Sequence, residues 1–346
     1  MTDASKARPI DLDGRSILIT GGTGSFGRRF VQRVLESARP ERLVILSRDE
    51  HKQYDMQQEF ADHLPRLRFF IGDVRDRDRL TMAMRGIDYV VHAAALKHVP
   101  IAEYNPFECI NTNVVGAENV VQAAINSDVQ RVIALSTDKA ANPINLYGAS
   151  KLASDKIMVA ANALSARVGT RFAVVRYGNV IGSRGSVVPF FRRLIAEGAT
   201  SLPITDARMT RFWITLDQGI DFVLSSLSMM EGGEIFVPKI PSMRIVDLAR
   251  HMAPRLRQHE IGIRPGEKLH ELMITSDDSR STVELADRYV IEPAFASWQR
   301  TGYTARGGRQ VADGFSYASD SNGDWLDEVR LARLLADSGF AASAAA

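Results

Sequence analysis

The sequence predicts an α/β protein: a parallel, doubly wound sheet with a smaller, partly interleaved C-terminal region. Three observations carry this. Short runs of β-branched and aliphatic residues alternate with longer stretches whose apolar residues recur near every 3.6 positions. The first run leads straight into a glycine-rich turn, Thr20-Gly-Gly-Thr-Gly-Ser-Phe-Gly27. After Gly178 the rhythm breaks, and loops rich in Gly, Ser, Arg and Pro begin.

Taken in order, Ser16–Thr20 reads as a buried strand and Phe26–Leu35 as the helix after it. Arg42–Leu46, Leu67–Ile71 and Tyr89–His92 follow as strands two to four. Asn113–Ile125 has helical spacing, and Arg131–Leu135 and Phe172–Arg176 complete the series. Strand–helix alternation needs crossovers, which are right-handed and make the sheet parallel. A first domain is therefore expected over 15–178 and a second region over 179–338, with 210–240 returning to the sheet through Glu234-Ile-Phe-Val237. Residues 1–14 and 339–346 offer little to bury and are expected to be loose.

Composition excludes several classes. The 346 residues are 45% hydrophobic and 24% charged, which suits a soluble globular chain. Lys+Arg 43 against Asp+Glu 41 gives +2, too balanced to favour nucleic acid or an anionic membrane as partner. A single cysteine, Cys109, precludes an intrachain disulfide framework and fits a reducing, cytoplasmic setting. No apolar run reaches the roughly 18 residues of a membrane span, and the polar start is unlike a signal peptide. The seven histidines and Cys109 show no metal-ligand spacing, so no metal is expected.

The glycines at 21, 24 and 27 lie between a strand and a helix, where glycine lets backbone N–H groups approach a pyrophosphate at the helix N-terminus. Gly21, Thr23, Gly24, Ser25, Phe26 and Gly27 are thus expected to hold a dinucleotide in a Rossmann-type domain. Strand two ends Leu46-Ser47-Arg48-Asp49, with Lys52 close by. Ser47, Arg48 and Lys52 suit a 2′-phosphate and favour NADP over NAD. Asp73 and Val74, after strand three, are placed for the adenine, with Asp73 accepting from its amino group. Ala93, Ala94 and Ala95 would let the cofactor lie against the backbone, with Lys97 just beyond. Asn113 is expected to bridge backbone and water from its helix.

Tyr147 and Lys151 form a YxxxK pair on one helix face. A neighbouring ammonium favours phenolate, making Tyr147 a usable base toward a sugar hydroxyl. Thr137, at the end of strand five, can bond the same hydroxyl. Asp138 and Lys139 follow at once, and a plain dehydrogenase needs neither. Side by side they suit an elimination, one protonating a departing hydroxyl and the other removing a proton α to a ketone. In the back half, Arg208, Arg211 and Arg264 are suited to a substrate diphosphate.

With these residues assembled, the chain resembles the extended short-chain dehydrogenase/reductases, on Thr20–Gly27, Ala93–Ala95 and Tyr147-Gly-Ala-Ser-Lys151. Within them it is similar to the nucleotide-sugar 4,6-dehydratases. More narrowly it resembles the configuration-inverting branch that acts on UDP-N-acetylglucosamine at the start of pseudaminic acid synthesis. Leu46–Glu50, Ala93–Pro100, Ser136–Ala140, Arg176–Val180, Gly182–Ser186, Arg264–Glu271 and Phe315–Leu326 carry that match. Lys97, after strand four, is also expected to line the site, and the resemblance adds Asn179, Arg184 and Glu267 to the substrate contacts. It implies that Tyr147 takes the 4-hydroxyl proton, Lys139 the C5 proton, and Asp138 protonates the departing 6-hydroxyl. It implies a tightly bound, recycled NADP and a homo-oligomer, with a hexamer as one form. Tyr147, Lys139 and water remain candidates to reprotonate C5. A 4-epimerase or a C5-retaining dehydratase are the alternative activities, and a cofactor-binding regulator without turnover is a third reading.

Overall fold

In the computed structural model, residues 10–183 and 185–340 are described. Six parallel strands form the centre: β1 (Ser16–Thr20), β2 (Arg42–Ser47), β3 (Leu67–Ile71), β4 (Tyr89–His92), β5 (Arg131–Thr137) and β6 (Arg171–Tyr177). Their spatial order is β3-β2-β1-β4-β5-β6, so the chain reverses direction between β1 and β4. That reversal opens a crevice at the strands' carboxyl ends, where ligands of doubly wound sheets bind. Ile17, Leu18 and Ile19 have no exposed surface, as expected of a strand covered on both faces. At the edge, β3 is looser and its Ile71 is half exposed.

Ile235–Pro238 extends the sheet parallel to β6, and Arg288–Ile291, Thr282–Glu284 and Arg309–Gln310 continue it antiparallel. Thr210–Ile214, within the 210–240 stretch, goes elsewhere. It pairs with Ser242–Arg244 and Asn179–Val180 in a separate three-stranded sheet. Around that sheet a second core gathers, with Val188, Phe191, Trp213, Leu248 and Leu331. The helix Leu216–Met229 returns to the first domain, where Asp217 Oδ2 accepts from Arg29 Nη2 at 2.9 Å.

The chain ends differ from the expectation where they are described. Leu12 is buried, and Asp13 Oδ1 accepts from the Arg39 N–H at 2.6 Å. Phe340 N–H donates to Leu335 O at 2.7 Å, and its ring lies 5.2 Å from the Arg192 guanidinium. An apolar side chain at each end finds a groove that composition alone does not show. The remainder of both stretches lies outside the described residues.

Candidate active site

The cleft at the strand ends has a volume of about 1550 Å³. That exceeds a typical single-ligand pocket and leaves room for two extended ligands. Its floor follows from local sequence. Gly21 adopts φ +68°, and a Cβ there would come within 2.9 Å of the Ala94 backbone. Only glycine lets the turn pass so close to the neighbouring strand. Helix α1 (Ser25–Ser37) starts at Gly24, which gives it no side-chain cap, so its first N–H groups are free for an anion.

Gly21, Thr23, Gly24, Ser25, Phe26 and Gly27 all line the cleft. Ser47, Arg48, Lys52, Asp73 and Val74 line it beside them, and Ala93, Ala94, Ala95 and Lys97 form the facing wall. This donor set fits a dinucleotide. Thr23 and Ser47 hydroxyls are 2.7 Å apart and tie the glycine turn to β2. Arg48 lies 3.5 Å from Asp73, and Lys52 pairs with Asp49. Asp73 is already engaged by Arg75, whose Nη2 donates at 2.7 Å. Asn113 stands outside the cleft lining. Its amide accepts from Leu96 N–H at 2.8 Å and donates to Leu96 O and Ser150 Oγ, each at 2.9 Å. It therefore clamps the backbone of the post-β4 loop.

The catalytic wall comes from β5 and the helix Leu146–Leu164, which Asn145 caps by accepting from Gly148 N–H at 2.7 Å. Thr137, Lys139, Tyr147 and Lys151 all face the cleft. The expected lowering of the Tyr147 phenol is not what this wall produces. Burial pushes it up to about 12, with Lys139 and a Thr137 hydrogen bond pulling the other way. Burial also lowers Lys151, against the pull of Asp155. Desolvation outweighs the helical pairing on which the sequence argument relied.

Asp138 is buried one step behind the wall and does not itself line it. Its Oδ1 accepts from Thr137 Oγ1 at 2.9 Å and from Lys139 Nζ at 3.0 Å. Lys139 Nζ also lies 3.0 Å from Glu271 Oε1. Burial favours the amine, but these two carboxylates outweigh it and hold Lys139 charged above the usual lysine range. Burial and the Glu271 charge push Asp138 up, toward its protonated form. Burial also acts on Glu271, but Lys139 and Arg211 outweigh it and keep that carboxylate ionised.

Glu271 was not singled out as a site residue in the sequence, although it ends the Arg264–Glu271 stretch. Three other residues were also missed. Tyr177 lines the cleft at the end of β6. The buried Thr20–His92 pair, at 2.8 Å, accepts the Ala93 and Ala94 N–H groups on Thr20 Oγ1. Burial and Lys151 push the His92 ring down to about 3, so it is neutral.

The substrate-side assignments divide. Asn179 and Arg264 line the cleft. Arg208 does not: it is exposed and its Nη2 donates to Asp206 at 2.8 Å. Arg211 is buried and spends its guanidinium on the main chain of Thr210, Leu269 and Lys268. Strand pairing turns it inward, and it is not among the residues that line the cleft. Glu267 lies 3.6 Å from Arg211 and also stands off the lining. Arg184 lies outside the described residues. Among those residues, no cluster of three or more His, Cys, Asp or Glu could hold a metal, and no helix is long and apolar enough to cross a membrane.

A glycine-turned cradle at a strand-order reversal, with Tyr147 and Lys151 on the wall above it, defines an enzyme of the short-chain dehydrogenase/reductase kind. The family model for polysaccharide biosynthesis proteins matches residues 17–293, and the chain belongs to that family. It is 57% identical over 326 residues to the UDP-N-acetylglucosamine 4,6-dehydratase (inverting) of Campylobacter jejuni, covering 93% of this chain and 97% of that protein. It is 43% identical over 305 residues to a UDP-glucose 4-epimerase of Rickettsia akari, covering 86% and 89%. Among solved structures, the dTDP-glucose 4,6-dehydratase DesIV of Streptomyces venezuelae, with NAD and TYD bound, matches with a TM-score of 0.66 and 25% identity. That match covers 73% of this chain and 86% of DesIV.

Proposed function

We propose that this chain is a hydro-lyase, a UDP-N-acetylglucosamine 4,6-dehydratase that inverts C5 and uses a tightly bound, recycled NADP. The single observation that carries this is Lys139 on the cleft wall, 3.0 Å from both Asp138 and Glu271. A 4-epimerase would use Thr137, Tyr147 and Lys151 but has no use for acid–base groups aimed at C5 and C6. The Rickettsia epimerase likeness keeps that activity as the second reading.

When bound, the oxidised nicotinamide would accept the C4 hydride and later return it to C6, and its positive charge would favour the Tyr147 phenolate against the burial that raises the phenol. Tyr147 takes the proton of the sugar 4-hydroxyl, with Thr137 holding the same oxygen. The 4-ketone that results acidifies C5–H. A proton moving from Lys139 Nζ to Asp138 Oδ1, across 3.0 Å, leaves an amine and a carboxylic acid side by side. Lys139 then takes the C5 proton, the Asp138 proton passes to the 6-hydroxyl through Thr137 Oγ1, 2.9 Å from Asp138 and on the cleft wall, and water leaves. Reduction at C6 and protonation of C5 on the opposite face complete the turnover.

Ser47, Arg48 and Lys52, which line the cleft beside Asp73 and Val74, support NADP over NAD. Asn179, Arg264 and Lys97 are the proposed substrate contacts. The exposed apolar side chains of Ile101, Tyr104 and Phe107 support a homo-oligomer, a hexamer among the forms open to it. The single buried thiol fits a cytoplasmic setting.

The test is incubation with UDP-N-acetylglucosamine in D₂O, followed by NMR. The expected product has a C6 methyl group, deuterium at C5 and inverted C5 configuration, with no net consumption of NADP. A product changed only at C4 would move the assignment to epimerase.

A further inference from the structure

The function proposed above uses Asp138 and Lys139 but leaves Glu271 without a role. Its carboxylate is 1% exposed and stands behind the cleft wall. Backbone bonds on both sides fix it: Glu271 N–H donates to Ser319 Oγ at 2.9 Å, and Ser319 N–H donates to Glu271 O at 2.8 Å. Oε1 is shared between Lys139 Nζ at 3.0 Å and Arg211 Nε at 3.5 Å. Oε2, though buried, has no hydrogen-bond partner, and neither has Asp138 Oδ2. Burying two carboxylates around one lysine is costly for stability alone, because each ion gives up water.

An ammonium carries three N–H donors. Asp138 takes one and Glu271 a second, which leaves the third for the cleft that Lys139 lines. We propose that Glu271 is a positioning residue: its buried carboxylate aims Lys139 into the cleft and sets the charge of the Asp138–Lys139 pair, without touching substrate. This rests on the dehydratase reading, since the pair has no task in simple 4-epimerisation.

Among the described residues, Arg211 approaches the pair from Thr210–Ile214 and Lys268 from the Arg264–Glu271 loop; one step further out, Arg176 of β6 faces Lys268 and Glu267 lies 3.6 Å from Arg211. His270 bonds Thr210 Oγ1 at 2.8 Å, and Tyr147 lies on the opposite side. Of these, Glu271 and Asp138 alone bring negative charge within 3.0 Å of Lys139 Nζ. Removing the Glu271 charge therefore lowers the proton affinity of both Lys139 and Asp138.

The test is the pH dependence of dehydration for the wild type and Glu271→Gln, with UDP-N-acetylglucosamine as substrate and the C6 methyl signal as readout. Glu271→Gln keeps the shape and removes the charge. Both limbs of its profile are expected to move to lower pH by about one unit or more, and kcat to fall about tenfold or more, with KM within about twofold of wild type. Glu271→Asp keeps the charge and is expected to retain the wild-type limbs at reduced kcat. Should Glu271→Gln be recovered unfolded, Glu271→Asp carries the test alone, and limbs that move with the charge retained overturn the proposal. An unmoved profile in Glu271→Gln also overturns it. A wild type that makes no dehydrated product overturns instead the functional reading beneath it.

Discussion

Lys139 Nζ lies 3.0 Å from Asp138 Oδ1, so two residues adjacent in sequence form a partly buried pair able to exchange one proton. The same lysine reaches the cleft while the aspartate does not. In the proposed reaction this division makes Lys139 the group that meets the substrate and Asp138 its source and sink of protons.

Removing the lysine tests that division. Lys139→Ala leaves Asp138 and Glu271 buried without their shared cation, a destabilisation on the order of 3–5 kcal/mol. Lys139→Met keeps more of the volume and is the better probe. Dehydration of UDP-N-acetylglucosamine, followed by the C6 methyl signal, is expected to fall by roughly 10²–10⁴. NADP affinity, measured by calorimetry, is expected to stay within about threefold. Undiminished methyl formation would remove Lys139 from the chemistry.

The central sheet was legible because β1, β2 and β4 are continuous apolar runs, which buried parallel strands require. Thr210–Ile214 was not, since its partners at Asn179–Val180 and Ser242–Arg244 are set by tertiary packing, outside any local pattern. Arg208 and Arg211 show the same limit within one short segment. Both are arginines beside an aromatic run, yet one points to solvent and the other is walled in by main-chain carbonyls. Glu271 was hidden for a related reason: no spacing rule connects it to Lys139, and only the folded chain brings them to 3.0 Å. The YxxxK spacing correctly placed Tyr147 and Lys151 on one wall, but spacing carries no information about desolvation, which decides the phenol.

Away from the cleft, Glu234 makes stability depend on pH. It has no exposed surface and accepts from Glu231 N–H at 2.8 Å and Gly232 N–H at 2.9 Å, with Arg300 3.7 Å away. Burial outweighs these partners and pushes the carboxyl up to about 7 from 4.5. A raised folded value means that the folded state binds the proton more tightly. Its contribution is thus complete below about 4.5 and is lost as pH rises through about 7. Thermal unfolding of the wild type between pH 5 and 8 is expected to include this loss, up to about 3 kcal/mol. Glu234→Gln is expected to flatten that part of the curve. A variant with the wild-type slope would show that another group titrates there.

The proposed preference for NADP turns on Arg48. It follows β2 half exposed, with its guanidinium 3.5 Å from Asp73, and it lines the cleft beside Ser47 and Lys52. A 2′-phosphate offers oxygens that match a guanidinium fork, and it would compete for Arg48 with a carboxylate that Arg75 already neutralises. Arg48→Ala is therefore expected to weaken NADP binding roughly 10–100-fold, the loss of one charge-assisted contact. NAD has no 2′-phosphate, so its affinity is expected to stay within about twofold. Calorimetric titration of both cofactors into both proteins reads this directly. If Arg48→Ala weakens NAD and NADP alike, Arg48 shapes the ribose pocket without reading the phosphate, and the preference for NADP must be sought at Ser47 and Lys52.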